Sequence, residues 1–212
     1  MKAVIFDMDG VLVDSEPMHT AVSIETMAYY GVTIDENDMD RFAGMTMHSI
    51  FSTLKIENNI PDPIETILAR QESGMLKHTL EDPQTPIAGI REILAYLKQH
   101  KIPAAVASSS PKKLVKTVIE RLNITTSFEI LLSGEEVRHG KPDPEIYLEA
   151  AKALQVQPKD CVVIEDSKNG TLSAKAAGMT CIGFKNLNSG DQDLSAADIV
   201  VPTLTQIDFT KF

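Results

Sequence analysis

Cysteine is scarce in this chain. There are two, Cys161 and Cys181, each inside an apolar, strand-like run, and they make no metal-ligand pattern. Reduced core thiols are the expectation, which fits a cytoplasmic protein better than a disulfide-stapled secreted one. Long apolar runs are missing, so no segment has the length of a transmembrane helix. The opening residues lack the basic segment and extended apolar run of a signal peptide, because acids interrupt by Asp7. Positive charge is in deficit: 20 Lys and Arg against 30 Asp and Glu leave a net charge of −10 at pH 7. That excludes a broad nucleic-acid groove or an anionic membrane surface as partner. A small phosphorylated molecule remains compatible, since it needs only a local cation or metal. Internal repeats and low-complexity tracts are also absent. What is present is core: hydrophobic residues make up 43% of 212 residues.

Four short runs read as buried strands: Ala3–Phe6, Pro103–Ala107, Cys161–Ile164 and Thr180–Phe184. Each is apolar without alternation, as in a parallel sheet covered on both faces. Phe128–Leu132 and Asp198–Val201 are candidates for a fifth and a sixth. Helical patterns lie between them, over Gly89–His100, Lys112–Leu122, Pro144–Leu154 and Lys168–Ala177, the last followed by Gly178 as a C-cap. Strands alternating with helices predict an α/β doubly wound, Rossmann-like parallel-sheet core.

One connection is too long for a single crossover. Met8 and Ile102 bracket far more chain than one helix requires, and Gly89–His100 can serve as the crossover itself. The preceding segment has helical patterning at Ala21, Ile24, Met27 and Ala28, at Ile50 and Leu54, and at Ile64, Ile67 and Leu68. The expected organisation is therefore a core domain over residues 1–14 and 81–212, with a small all-helical cap over 15–80 inserted after the first strand. Two linkers side by side would let the cap hinge over the carboxyl ends of the strands, where ligands bind in open α/β sheets.

Those strand ends carry the chemistry. Strand one ends in Asp7-Met8-Asp9-Gly10, the second strand in Ser108-Ser109-Ser110, and the Cys161 strand in Glu165-Asp166-Ser167, while a loop before a helix carries Gly140-Lys141-Pro142-Asp143-Pro144. DMDGVLVDS, VASSS, GKPDPEIY and VIEDSKNG are weak signals singly. As an ordered set over nearly the whole chain they are specific. The sequence resembles the haloacid dehalogenase superfamily of phosphotransferases, in the branch of beta-phosphoglucomutase and the sugar-phosphate phosphatases.

Oxygen ligands crowded at strand ends suit a hard cation such as Mg²⁺. The resemblance implies that Asp7 and Asp166 supply carboxylates to it and Asp9 its backbone carbonyl, with Glu165 a further ligand or a support behind the ligands. It implies that Asp7 attacks phosphorus and forms an aspartyl-phosphate that water later cleaves. Asp9 would protonate the leaving oxygen and then activate water. Ser108 would hold phosphate oxygens, and Lys141 would neutralise charge on the transferring group. Candidates for substrate contact are His19, Gly44, Met47, Ser109 and Ser110. Asp14 reads as structural, either capping the first cap helix or supporting the loop.

An acid at Asp9 disfavours dehalogenation, because halide departure needs no protonation. Phosphatase and mutase remain. A mutase must hold a second phosphate, yet the cap stretch FAGMTMHSI has Ala43 and Met47 where beta-phosphoglucomutase carries basic residues, and Glu72 falls near the place of a cap lysine. Arg41, His48 and Arg70 are the cap groups able to compensate. The expectation is a Mg²⁺-dependent phosphatase of a small phosphorylated metabolite, a sugar or polyol phosphate, working as a monomer. The alternatives are a beta-phosphoglucomutase-type enzyme and, third, a non-catalytic phospho-ligand-binding protein. Intact Asp7, Asp9, Lys141 and Asp166 speak against the third.

Overall fold

A computed structural model describes residues 1–42 and 45–212, with Asp40 described by its backbone alone. The first strand, β1 (Ala3–Phe6), leads into four helices: α1 (Glu16–Tyr29), α2 (Glu36–Asp40), α3 (Met47–Glu57) and α4 (Ile64–Glu81). The chain then alternates: α5 (Ile90–Gln99), β2 (Ala104–Ser108), α6 (Lys112–Arg121), β3 (Ile130–Ser133), α7 (Glu145–Ala153), β4 (Cys161–Glu165), α8 (Lys168–Ala176), β5 (Thr180–Phe184) and β6 (Ile199–Val201). The six strands form one sheet in the order β3-β2-β1-β4-β5-β6, and every pairing is parallel. Both candidate strands are therefore present, and the α/β reading holds.

Because side chains alternate along a strand, β1 serves both faces. Val4 and Phe6 pack with Ile90, Ile93 and Leu97 of α5 and Leu114 and Val118 of α6. Ala3 and Ile5 pack on the opposite face with Ile146, Tyr147 and Ala150 of α7 and Ala174 of α8. Ile5 is fully buried, and burying such a side chain stabilises the fold by about 1.5–3 kcal/mol. Cys161 and Cys181 are buried and unbridged, and burial pushes their thiols up to about 11 and about 12.

Four of the six strands, β2, β3, β4 and β6, differ from the sequence reading by one or two residues at an end. Pro103 has no N–H to offer, so β2 starts at Ala104, while the Pro103 carbonyl still accepts from Val4 N (3.1 Å). Phe128 lies outside β3 and sets its ring edge-on to Phe6, with centroids 5.8 Å apart.

Helices α1–α4 enclose a cluster of their own, built on Met27, Phe42, Ile50, Phe51, Leu54 and Ile67. The chain leaves the sheet and returns along paired backbone: Val13 bridges Pro86 antiparallel, and Ile87 N donates to Leu12 O at 3.0 Å. The helical segment thus stands over the carboxyl ends of the strands on two adjacent linkers.

Candidate active site

The β1–β4 ladder extends one step past β1, since Asp7 N donates to Ile164 O at 3.0 Å. That bond fixes the Asp7 backbone at the sheet rim. Its side chain is almost wholly buried and accepts from Lys141 Nζ at 2.5 Å. Lys141 comes from the loop before α7 and also donates to Ala107 O (3.0 Å) and to Glu165 Oε1 (2.7 Å). Only 5% of its side chain is exposed. Its ammonium stands 4.9 Å from the centre of the Tyr147 ring, a cation–π distance.

Glu165, the last residue of β4, has no exposure, and both of its oxygens are engaged. Oε1 accepts from Lys141 and from Tyr147 Oη (2.9 Å). Oε2 accepts from the backbone N–H of Asp166 and Ser167 and from Ser167 Oγ, each at 2.9 Å. Gly170 makes this arrangement fit, because a Cβ there would lie 1.6 Å from Glu165 Oε1. A buried carboxylate with this many donors stays ionised. Burial alone would raise Glu165, but Lys141 and the Ser167 donors hold it below its ordinary value.

Asp166 is also buried, and its Oδ2 accepts from Ser189 Oγ. Gly10, at φ +75°, brings its backbone against that carboxylate: a Cβ would fall 1.9 Å from Asp166 Oδ2. Burial, then the charge of Glu165, pushes Asp166 up to about 8. Burial likewise raises Asp7 well above its ordinary value; Lys141 opposes this, while Glu165 and Asp166 add to it. Lys141 is held well above its usual range because Asp7 and Glu165 outweigh the effect of burial. The cluster therefore has one cation for three buried acids.

Asp7, Glu165 and Asp166 each present a carboxylate oxygen within 4.8 Å of the others. This all-oxygen set, short of positive charge, fits a hard divalent cation. Because Glu165 is fully occupied by protein donors, the oxygens left for a cation belong to Asp7 and Asp166.

Asp9 is tied differently. Oδ1 accepts from Ser15 Oγ (2.7 Å), and Oδ2 from Ser110 Oγ (2.7 Å) and Ser108 Oγ (3.3 Å). Ser108, with no exposure, also accepts from Ser110 N at 3.0 Å. Asp14 does not cap α1; the N-cap is Ser15, whose hydroxyl goes to Asp9, and Asp14 accepts from Asn188 Nδ2.

A cleft of about 1020 Å³ separates this rim from the helical segment. Asp7, Asp9, Ser109, Lys141, Glu165 and Asp166 line its floor, and His19, Met39, Phe42, Met47 and Ile50 line the helical side. The structure thus brings His19, Met47 and Ser109 to the cleft, while the Ser108 and Ser110 hydroxyls turn to Asp9. Gly44 and its neighbour Ala43 lie outside the described residues. His19 Nδ1 is buried with no hydrogen-bond partner among the described residues. Burial raises Glu16 on the same helix, against the pull of His19.

Arg41, Arg70 and His48 of the helical segment are engaged away from the cleft. Arg41 pairs outward with Glu57 (3.0 and 2.5 Å), Arg70 lies over the Tyr29 ring at 3.2 Å, and His48 is exposed beside Ser52. Among the described residues, no lysine or arginine of α1–α4 lines the cleft.

Sequence reasoning missed Tyr147, Ser167 and Ser189. Tyr147 stands at a core position of α7, and Ser167 at an N-cap position before α8. Ser189 ends a single 3-10 turn, Leu187–Ser189, in the loop between β5 and β6, and nothing in its sequence marks it as a partner of Asp166.

A sequence profile described as haloacid dehalogenase-like hydrolase matches residues 4–184. A phosphorylated carbohydrates phosphatase from Thermotoga maritima is 34% identical over 203 residues, covering 95% of this chain and 94% of that one. A beta-phosphoglucomutase from Bacillus subtilis is 31% identical over 211 residues, covering 95% and 89%. The crystal structure of CbbY from Rhodobacter sphaeroides with xylulose-(1,5)bisphosphate superposes with a TM-score of 0.85 at 25% identity, covering 97% of this chain and 96% of that one. The chain belongs to the haloacid dehalogenase-like hydrolases.

Proposed function

We propose that this protein is a Mg²⁺-dependent phosphatase of a small phosphorylated carbohydrate or polyol, with Asp7 as nucleophile. One observation carries the reading. Asp7 is held by Lys141 at 2.5 Å on the floor of a cleft whose helical side has no lysine or arginine among the described residues. The floor suits one phosphoryl group; Lys168, at the start of α8, also lines the cleft, but among the described residues the helical wall opposite has no lysine or arginine for a second. The Thermotoga maritima relative, named for phosphorylated carbohydrates, supports the substrate class.

Asp7 Oδ1 accepts from Lys141 and Oδ2 has no protein donor among the described residues, so the carboxylate has one oxygen beside Lys141 to attack phosphorus and one to offer a cation. The Lys141 ammonium, fixed by Asp7, Glu165 and the Ala107 carbonyl, meets the charge of the transferring group without having to reorganise. Asp7 and Asp166 would hold Mg²⁺, which when bound screens the carboxylates from the incoming phosphate and neutralises developing charge. Glu165 contributes by aiming Lys141. Asp9 serves as the acid and then the base. Its three hydroxyl partners donate or accept as needed, so they can hold it both with and without a proton. Hydrolysis of the aspartyl-phosphate returns Asp7 and releases phosphate. Residues 15–80 act as the cap over this floor, and their Met- and Phe-bearing face meets the alcohol end of the substrate.

The test is a phosphate-release screen over phosphorylated sugars and polyols, with and without Mg²⁺. Release should need Mg²⁺ and vanish in Asp7→Asn. Conversion of glucose 1-phosphate to the 6-phosphate with little free phosphate would instead establish the mutase reading, which the Bacillus subtilis relative keeps in view.

A further inference from the structure

We propose that Ser189, in the loop between β5 and β6, is a positioning residue for Asp166, holding one carboxylate oxygen so that the other is presented to the metal. This rests on the reading of Asp166 as a metal ligand given above. Ser189 is 9% exposed and donates its hydroxyl to Asp166 Oδ2. No other side chain of the described residues donates to that carboxylate. The pair is closed from behind by Gly10, whose missing Cβ would lie 1.9 Å from Asp166 Oδ2 and 2.8 Å from Ser189 Oγ. The carboxylate therefore has little room to turn.

The loop that carries Ser189 is tied to the rim on both sides. Asn186 Nδ2 donates to the Gly10 carbonyl at 3.0 Å, next to the Asp9 end of the nucleophile loop. Gln192 Nε2 donates to Ser189 O at 2.9 Å, and Gln192 Oε1 accepts from Lys168 N at 3.2 Å at the start of α8. A loop remote in sequence thus joins the segments that carry Asp9 and Asp166. A hydroxyl committed to one oxygen of a metal-binding carboxylate fixes its orientation and lowers the freedom lost on binding.

The experiment titrates Mg²⁺ by calorimetry into the metal-stripped full chain. Ser189→Ala should weaken Mg²⁺ binding by about 10–100-fold, the range seen when a group supporting a metal ligand is removed. The Mg²⁺ concentration for half-maximal phosphate release should rise in the same ratio, with the substrate KM unmoved. Ser189→Thr keeps the hydroxyl and should retain most of the affinity. Asn186→Ala, which loosens the loop without touching Asp166, should weaken binding in the same direction and replaces Ser189→Ala if that variant does not fold. Wild-type Mg²⁺ affinity in Ser189→Ala, or in Asn186→Ala when it stands in, overturns the inference. If Asp166→Ala has meanwhile lost binding, the metal site itself survives. A wild-type chain that does not bind Mg²⁺, or Asp166→Ala binding as tightly as wild type, removes the metal reading and this inference with it.

Discussion

Replacing Glu165 by Gln is the sharpest perturbation of the site that keeps its shape. Both glutamate oxygens act only as acceptors, toward Lys141, Tyr147, two backbone N–H groups and Ser167. An amide has one acceptor oxygen and one NH₂. If the oxygen keeps the N–H pair at Asp166 and Ser167, the NH₂ faces the Lys141 ammonium, donor against donor. Lys141 then retains Asp7 as its one ion-pair partner in contact, in a site where its side chain is 5% exposed. Breaking a buried pair from one side costs about 3–5 kcal/mol, because the surviving charge remains out of water. For a chain of this size, about 2–4 °C per kcal/mol converts that into a melting temperature lower by roughly 6–20 °C. Circular dichroism melts without Mg²⁺ read this directly. Tyr147→Phe is the control: it removes one donor from the same oxygen and should cost only about 1–3 kcal/mol. A Glu165→Gln variant that melts within about 2 °C of wild type, under ~1 kcal/mol, would refute the claim that this pair holds Lys141 in place.

Other outcomes follow from the same geometry. Gly170→Ala drives a methyl group to within 1.6 Å of Glu165 Oε1 and should destabilise the chain by at least ~1–3 kcal/mol in urea unfolding, with loss of turnover. Gly10→Ala strains a backbone at φ +75° and strikes Asp166, so phosphate release should fall sharply even at saturating Mg²⁺. His78 joins α1 to the end of α4 through Glu25 (3.1 Å) and Asp82 (2.8 Å); the Asp82 hydrogen bond raises its pKa against partial burial, and Glu25 adds to the rise. A raised folded-state pKa gives stability that is complete below the unfolded value of about 6.5 and lost as pH climbs through the folded one. The wild type should therefore lose stability relative to His78→Gln across that window, and parallel melting curves from pH 5.5 to 8.5 would contradict this.

Much of the fold was legible because apolar runs of strand length cannot hide. Ala3–Phe6 and Thr180–Phe184 are strands over the residues expected from sequence, since both faces of a central parallel strand must be apolar. The short helix α2 was not anticipated, although its capping box over Asp35 and Asp38 was available in the sequence. At the site, the four rim motifs converge because parallel strands end on the same side of the sheet. The partners that tune them were not legible. Tyr147 occupies an apolar position of α7, and its hydroxyl matters only because α7 crosses beneath Glu165. Ser189 reaches Asp166 across 23 residues of chain from a short 3-10 turn between β5 and β6, and no periodicity encodes such a contact. Asp14, unexplained by its own segment, found its partner Asn188 in that same loop.

The central claim is that Asp7 carries the phosphoryl group in transit. It is tested most directly by quenching the enzyme in acid during turnover of a phosphorylated sugar, reducing the acyl phosphate with borohydride, and locating the modified residue by mass spectrometry. Asp7 alone should be converted to homoserine, in a Mg²⁺-dependent manner, and Asp7→Asn should show no modification. Turnover with Asp7 unmodified, or a phosphoryl group found on Ser108 instead, would contradict it.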